Sequence, residues 1–145
     1  MPIQFRRNED LPRPHNFRGE LLAGGACLSG PDDRVLVIVL KRHAEALHEL
    51  TADEYAELGD LQSKATRILF EELHREKEYI SCYAEMEHFR HIHFHVFAKP
   101  AGFPDELKGG KSFALLQVTP GQAVPAGEIA VLCERLQGRF QYDTR

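Results

Sequence analysis

The stretch His91-Ile92-His93-Phe94-His95-Val96-Phe97 decides how the chain is read, because imidazoles and apolar side chains alternate from His91 to Val96 without a break. In an extended strand successive side chains point to opposite faces, so the period of two predicts three histidines on one face and Ile92, Phe94 and Val96 on the other. The apolar face binds the strand to a core. Same-face residues lie roughly 6.5–7 Å apart along a strand, close enough for one small anion to touch more than one ring. The chain has eight histidines, and half of them, His88, His91, His93 and His95, fall within positions 88–95.

Three readings of the alternating histidines compete. They are ordinary polar residues on a wet sheet face, or zinc ligands, or the nucleophile and hydrogen-bond donors of phosphoryl chemistry. Zinc accepts two strand histidines at i and i+2 but needs a further ligand, and no Asp, Glu or Cys of matching parity stands near the cluster. In the third reading a neutral imidazole nitrogen attacks phosphorus while its neighbours serve the phosphate oxygens and the leaving group. Imidazole titrates near neutral pH, so one ring can act as base beside another that acts as acid.

Working outward, Val35-Leu-Val-Ile-Val-Leu40 is continuously apolar and β-branched, which predicts a central strand covered on both faces. Leu21–Ala23 and Ala26–Leu28, separated by Gly24-Gly25 and followed by the turn signal at 29–32, read as two short strands joined by a tight turn. Thr51-Ala-Asp-Glu54 is a capping box opening a helix that runs to about His74, with Tyr55, Leu58, Leu61, Ala65, Ile68, Leu69 and Leu73 on one stripe. A short helical turn is expected within 42–48, and a further strand from Tyr79 to Ala84. Pro125-Ala126 opens a second amphipathic helix, and Gly138 stands where it should stop. Strands in a run with one long helix inserted predict an α+β domain with an antiparallel sheet of about five strands, a long helix and a C-terminal helix.

The length of 145 residues suits a single domain covering 1–145, with residues 1–18 an irregular arm rich in Pro and charge. A hydrophobic content of 43% with 28% charged residues is that of a globular protein. The net charge of −4 argues against a nucleic-acid-coating protein or one held to acidic lipid. Cys27, Cys82 and Cys133 are odd in number and widely spaced, which reads as reduced thiols in a cytoplasmic protein. The longest apolar run is too short to span a membrane.

The triad stretch resembles the histidine-triad signature, in which three histidines alternate with apolar residues. The resemblance extends to Val35–Leu40 with Lys41-Arg42-His43 and to Thr51-x-x-Glu54, covering roughly residues 20–100. Phe94, Glu85, Arg90 and Pro104-Asp-Glu-Leu-Lys-Gly109 are similar to a bacterial subgroup of dinucleoside-polyphosphate-hydrolase-like proteins. The resemblance implies transfer of a nucleoside monophosphate to His93, with His91 and His95 flanking the phosphorus, followed by release to water. It implies a homodimer acting on a nucleotide without a required cofactor or structural metal, a divalent cation entering only with the substrate.

Some positions depart from the pattern. Arg34 replaces the usual fourth histidine and can bind phosphate bidentately. Glu85-Met-Glu-His-Phe-Arg90 replaces a glycine-rich phosphate cradle, and Glu85 stands where it could accept a ribose hydroxyl or simply end a strand. Lys99 keeps one positive charge beyond the triad. Arg34 and the acidic segment leave a nucleotide-binding regulator with little catalysis as an alternative to a hydrolase, and the three same-face histidines leave a metal-dependent hydrolase that uses them as ligands. His43, His48 and His88 read as solvent-facing, capping or loop residues, and Lys108-Gly-Gly-Lys111 as a turn.

Overall fold

The computed structural model describes residues 17–18, 22–28, 34–85, 87, 90–116 and 126–142. Of the expected irregular arm 1–18, residues 1–16 lie outside them while Phe17–Arg18 form a short strand; the residues of the expected turn at 29–32, His88 and residues 117–125 also lie outside.

The architecture is α+β. Strands β1 (Phe17–Arg18), β2 (Leu22–Leu28), β3 (Arg34–Leu40), β4 (Lys77–Ser81) and β5 (His93–Lys99) form one sheet in the order β1-β2-β3-β5-β4, antiparallel at every pairing. The core and the site rest on three of them, β3, β5 and β4. The two others extend the sheet on one side, β1 with only two residues. Helices α1 (Ala52–Leu73) and α2 (Ala126–Tyr142) complete the fold, with short 3-10 segments at 47–49, 105–107 and 109–116.

Strand β3 is central, as its β-branched run predicts, lying between β2 and β5. Leu36, Ile38 and Leu40 share a face with Phe94 and Val96 of β5. That face packs on Leu58, Leu61, Ala65, Ile68 and Leu69 of α1 and on Leu132 and Leu136 of α2. The predicted stripe of α1 is therefore buried from Leu58 to Leu69, whereas Tyr55 at its start is 46% exposed and Leu73 at its end only partly buried. Thr51 caps it: its hydroxyl accepts from Glu54 N–H at 3.2 Å while Glu54 accepts from Thr51 N–H at 2.8 Å. His74 ends it in the left-handed conformation, φ 50°.

Several expected boundaries move. Strand β5 begins at His93, because His91 lies in a bend whose ring is bonded to other backbone. Strand β4 occupies Lys77–Ser81, and Ala84 beyond it has a positive φ of 51° that an extended strand cannot contain. Strand β2 passes unbroken through Gly24 and Gly25, because β3 supplies a ladder partner for every residue from Leu22 to Leu28. Helix α2 continues through Gly138. Arg135 and Arg139, on either side of that glycine, pair with Glu72 and Glu71 of α1, and these tertiary ties outweigh the roughly 1 kcal/mol that a mid-helix glycine costs.

Candidate active site around His93

On the opposite face of the sheet the registers Val37↔His95, Val39↔His93 and Ser81↔His95 gather two imidazoles, two valines and a serine. A second, smaller apolar cluster of Val35, Phe97 and Phe103 continues this face. The histidine face is not wet. His93 is 5% and His95 7% exposed, and the 3-10 segment 109–116 brings Phe113 and Ser112 to His95. Its Phe113 meets His95 edge-on at 5.3 Å and Tyr83 edge-on at 4.9 Å. Beneath it a cavity of about 20 Å³, lined by His95, Ser81, Ser112, Phe113 and their apolar neighbours, has room for a single water.

His93 Nδ1 lies 2.8 Å from the carbonyl oxygen of His91. A carbonyl only accepts, so Nδ1 carries the proton and Nε2 is the lone-pair nitrogen of the neutral ring. Burial lowers the pKa of His93 from its ordinary value. His95 stands perpendicular to it, centroids 4.8 Å apart. Burial, with the adjacent His93 adding to it, pushes His95 down to about 4. Both rings are therefore neutral at pH 7. His95 Nδ1 is buried with no hydrogen-bond partner among the described residues.

His91 is placed differently. Its Nε2 donates to the Leu40 carbonyl at 2.6 Å, and its Nδ1 accepts from Ala44 N–H at 3.3 Å. The ring is clamped between the end of β3 and the turn that follows, and it stacks on His43 with centroids 5.2 Å apart. The structure thus brings His93 and His95 together side by side and joins His91 to them through its backbone.

The other expected site residues are spread out. Arg34 opens β3 opposite Leu28. Glu85 is exposed in the loop after β4. Lys99 ends β5 about 13 Å along the strand from His95, at 3.3 Å per residue, where it is buried in an ion pair with Glu76. Sequence reasoning missed Phe113 and Ser112, which reach His95 only through the return of the chain after β5, and Tyr83 in the loop after β4, which meets Phe113. It also assigned His43 to solvent. His43 is exposed, yet its ring face covers His91, and the basic turn Lys41-Arg42-His43 was the available signal. Among the described residues no group of three His, Cys, Asp or Glu is placed to hold a metal ion, and no helix is long and apolar enough to cross a membrane.

A five-stranded antiparallel sheet backed by one long helix, with paired imidazoles on its other face, defines a histidine-triad protein. Solved structures share the fold. A histidine-triad protein from Bradyrhizobium japonicum superposes with a TM-score of 0.71 at 18% identity, covering 88% of this chain and 90% of that one. One from Sinorhizobium meliloti gives 0.69 at 18% identity, covering 86% and 87%. A zinc-bound member from Mycobacterium smegmatis gives 0.60 at 17% identity, covering 89% and 88%. No curated protein matches the sequence. Residues 30–106, more than half of the chain, match the family described as scavenger mRNA decapping enzyme C-term binding, and the chain belongs to that family within the histidine-triad superfamily.

Proposed function

We propose that the protein cleaves a nucleoside phosphoanhydride or phosphoramidate, of the dinucleoside polyphosphate or nucleoside 5'-phosphoramidate class, through a covalent nucleotidyl-His93 intermediate. The observation that carries this reading is the bond from His93 Nδ1 to the His91 carbonyl, which leaves Nε2 as the nucleophilic nitrogen. In the first step the Nε2 lone pair forms a bond to the α-phosphorus, and the bond from phosphorus to the leaving group breaks. The leaving group departs with that electron pair and takes up a proton. In the second step water attacks phosphorus, the P–N bond returns its electrons to Nε2, and a nucleoside monophosphate leaves.

His95 is the group suited to the leaving side. Neutral in the empty site, it gains basicity when a phosphate's negative charge arrives beside it, so it can carry a proton between the leaving group and water. Arg34, Glu85 and Lys99 are assigned to binding more distant parts of the substrate. Because Phe113 of the segment 109–116 lies against His95, a substrate group reaches that ring only when the segment is displaced. No metal is required in this scheme beyond a cation that accompanies the substrate.

The cover favours a second reading, a nucleotide-binding regulator in which the segment opens to bind and does not turn over. Intact-mass spectrometry after brief mixing with dinucleoside polyphosphates and nucleoside phosphoramidates separates the two. A nucleotidyl adduct that disappears in His93→Ala supports the hydrolase, whereas saturable mononucleotide binding with neither adduct nor product supports the regulator. A homodimer is proposed for the functional state. Strand β4 is an edge of the described sheet, and Ile80 on it and Phe70 on α1 are exposed apolar side chains, 43% and 55%. Sedimentation of the wild type against Ile80→Asp checks this.

A further inference from the structure

Glu54 is 3% exposed, an unusual place for a carboxylate whose capping box is already complete with Thr51. It accepts from Arg42 through both oxygens, from Nε at 2.6 Å and from Nη2 at 2.8 Å. Arg42 Nη2 also donates to the Glu49 carbonyl at 2.6 Å. One guanidinium thus ties the turn after β3, the 3-10 segment at 47–49 and the start of α1 into a single rigid piece. Such bidentate pairs fix geometry as well as adding energy. The bond to Arg42 holds the Glu54 carboxyl down to about 2, so the pair is ionised throughout the neutral range.

The piece it braces carries Ala44, two residues beyond Arg42. Ala44 N–H donates to His91 Nδ1 at 3.3 Å, and the Ala44 carbonyl accepts from Ile92 N–H at 2.9 Å. Those bonds, with the one from His91 Nε2 to Leu40, set where His91 and its carbonyl stand. That carbonyl receives His93 Nδ1–H. Hydrogen bonds at either end, joined by the covalent main chain from Arg42 to Ala44, therefore link a buried carboxylate on α1 to the nucleophilic ring on β5.

We propose that Arg42 and Glu54 are positioning residues for His93, acting through Ala44 and His91 to hold the nucleophile in its Nδ1–H tautomer. The kinetic part rests on His93 being the nucleophile; the tautomer part does not. Long-range proton–nitrogen correlation spectra of nitrogen-15-labelled protein report which imidazole nitrogen carries the proton. The wild type is expected to show His93 protonated at Nδ1, and Arg42→Met and Glu54→Gln are expected to show a mixture of both tautomers. Arg42→Lys, which keeps the charge and loses the fork, is expected to behave like Arg42→Met, and it serves if Arg42→Met does not fold.

Turnover is expected to lose on the order of 10- to 100-fold in kcat with KM within about twofold, equally from about pH 6 to pH 9. In a His91→Ala background Arg42→Met is expected to add nothing further to the loss. An unchanged His93 tautomer in all three variants, with kcat within about twofold of wild type and only a lowered Tm, would overturn the proposal and leave the pair as a helix cap. A wild type without any turnover defeats the proposed function alone, since the tautomer spectra still decide the positioning role.

Discussion

His91 accepts the Nδ1 proton of His93 through its main-chain carbonyl at 2.8 Å, while its own ring is turned away to Leu40 and Ala44. Two histidines two residues apart thus have different work. One offers a lone pair, and the other holds it in place.

His93→Ala should therefore lower turnover by on the order of 10³-fold or more and abolish the nucleotidyl adduct. His91→Asn, which keeps the backbone carbonyl, should lose much less. Steady-state kinetics with intact-mass analysis compares them, and equal losses would contradict the division of roles.

The pH dependence of stability follows from the buried rings. In the unfolded chain a histidine binds its proton near 6.5, but native His95 does so only near about 4, and His93 is displaced the same way. Between these values the unfolded state holds more protons, so stability falls as pH drops from about 6.5 toward 4 and is level above that window. The displacement of His95 corresponds to on the order of 3 kcal/mol by pH 4. Urea midpoints at pH 7, 5.5 and 4.5 measure it, and His95→Phe should flatten the slope.

Phe113 closes the site by its edge contact with His95, and removing the ring should open it. In Phe113→Ala, diethyl pyrocarbonate should modify His95 several-fold faster than in wild type, with the exposed His43, His48 and His74 unchanged as internal references. Peptide mass mapping reads the rates site by site. Equal rates at His95 in both proteins would show that the segment 109–116 is not what limits access.

Helix α2 gives a paired test of packing and propensity. Leu136 is fully buried between α2 and the sheet core, so Leu136→Ala should cost about 2–5 kcal/mol. Gly138 lies inside the helix with open space where a Cβ would stand, so Gly138→Ala should gain about 0.5–1 kcal/mol. Chemical denaturation checks both signs.

How far the chain could be read in advance depended on the range of the forces involved. Thr51 and Glu54 announce the start of α1, and the stripe from Leu58 to Leu69 announces its buried face, because capping and amphipathicity act within a turn or two. The alternation from His93 onward fixed the two faces of β5 in the same local way. Gly138 misled for the complementary reason. A local stop signal was overridden by Arg139 pairing with Glu71, far away in the chain.

By itself, then, the sequence determined the α+β class, the long helix, the central strand and the shared face of His93 and His95, all properties of short periodic segments. Tertiary structure alone decided what surrounds those two rings. The clamp of His91 by Leu40 and Ala44 spans about fifty residues of chain, and the cover of His95 by Phe113 depends on the path taken after β5. Contacts of that kind arise when distant segments compete to bury surface and satisfy buried polar groups, and no local period encodes them.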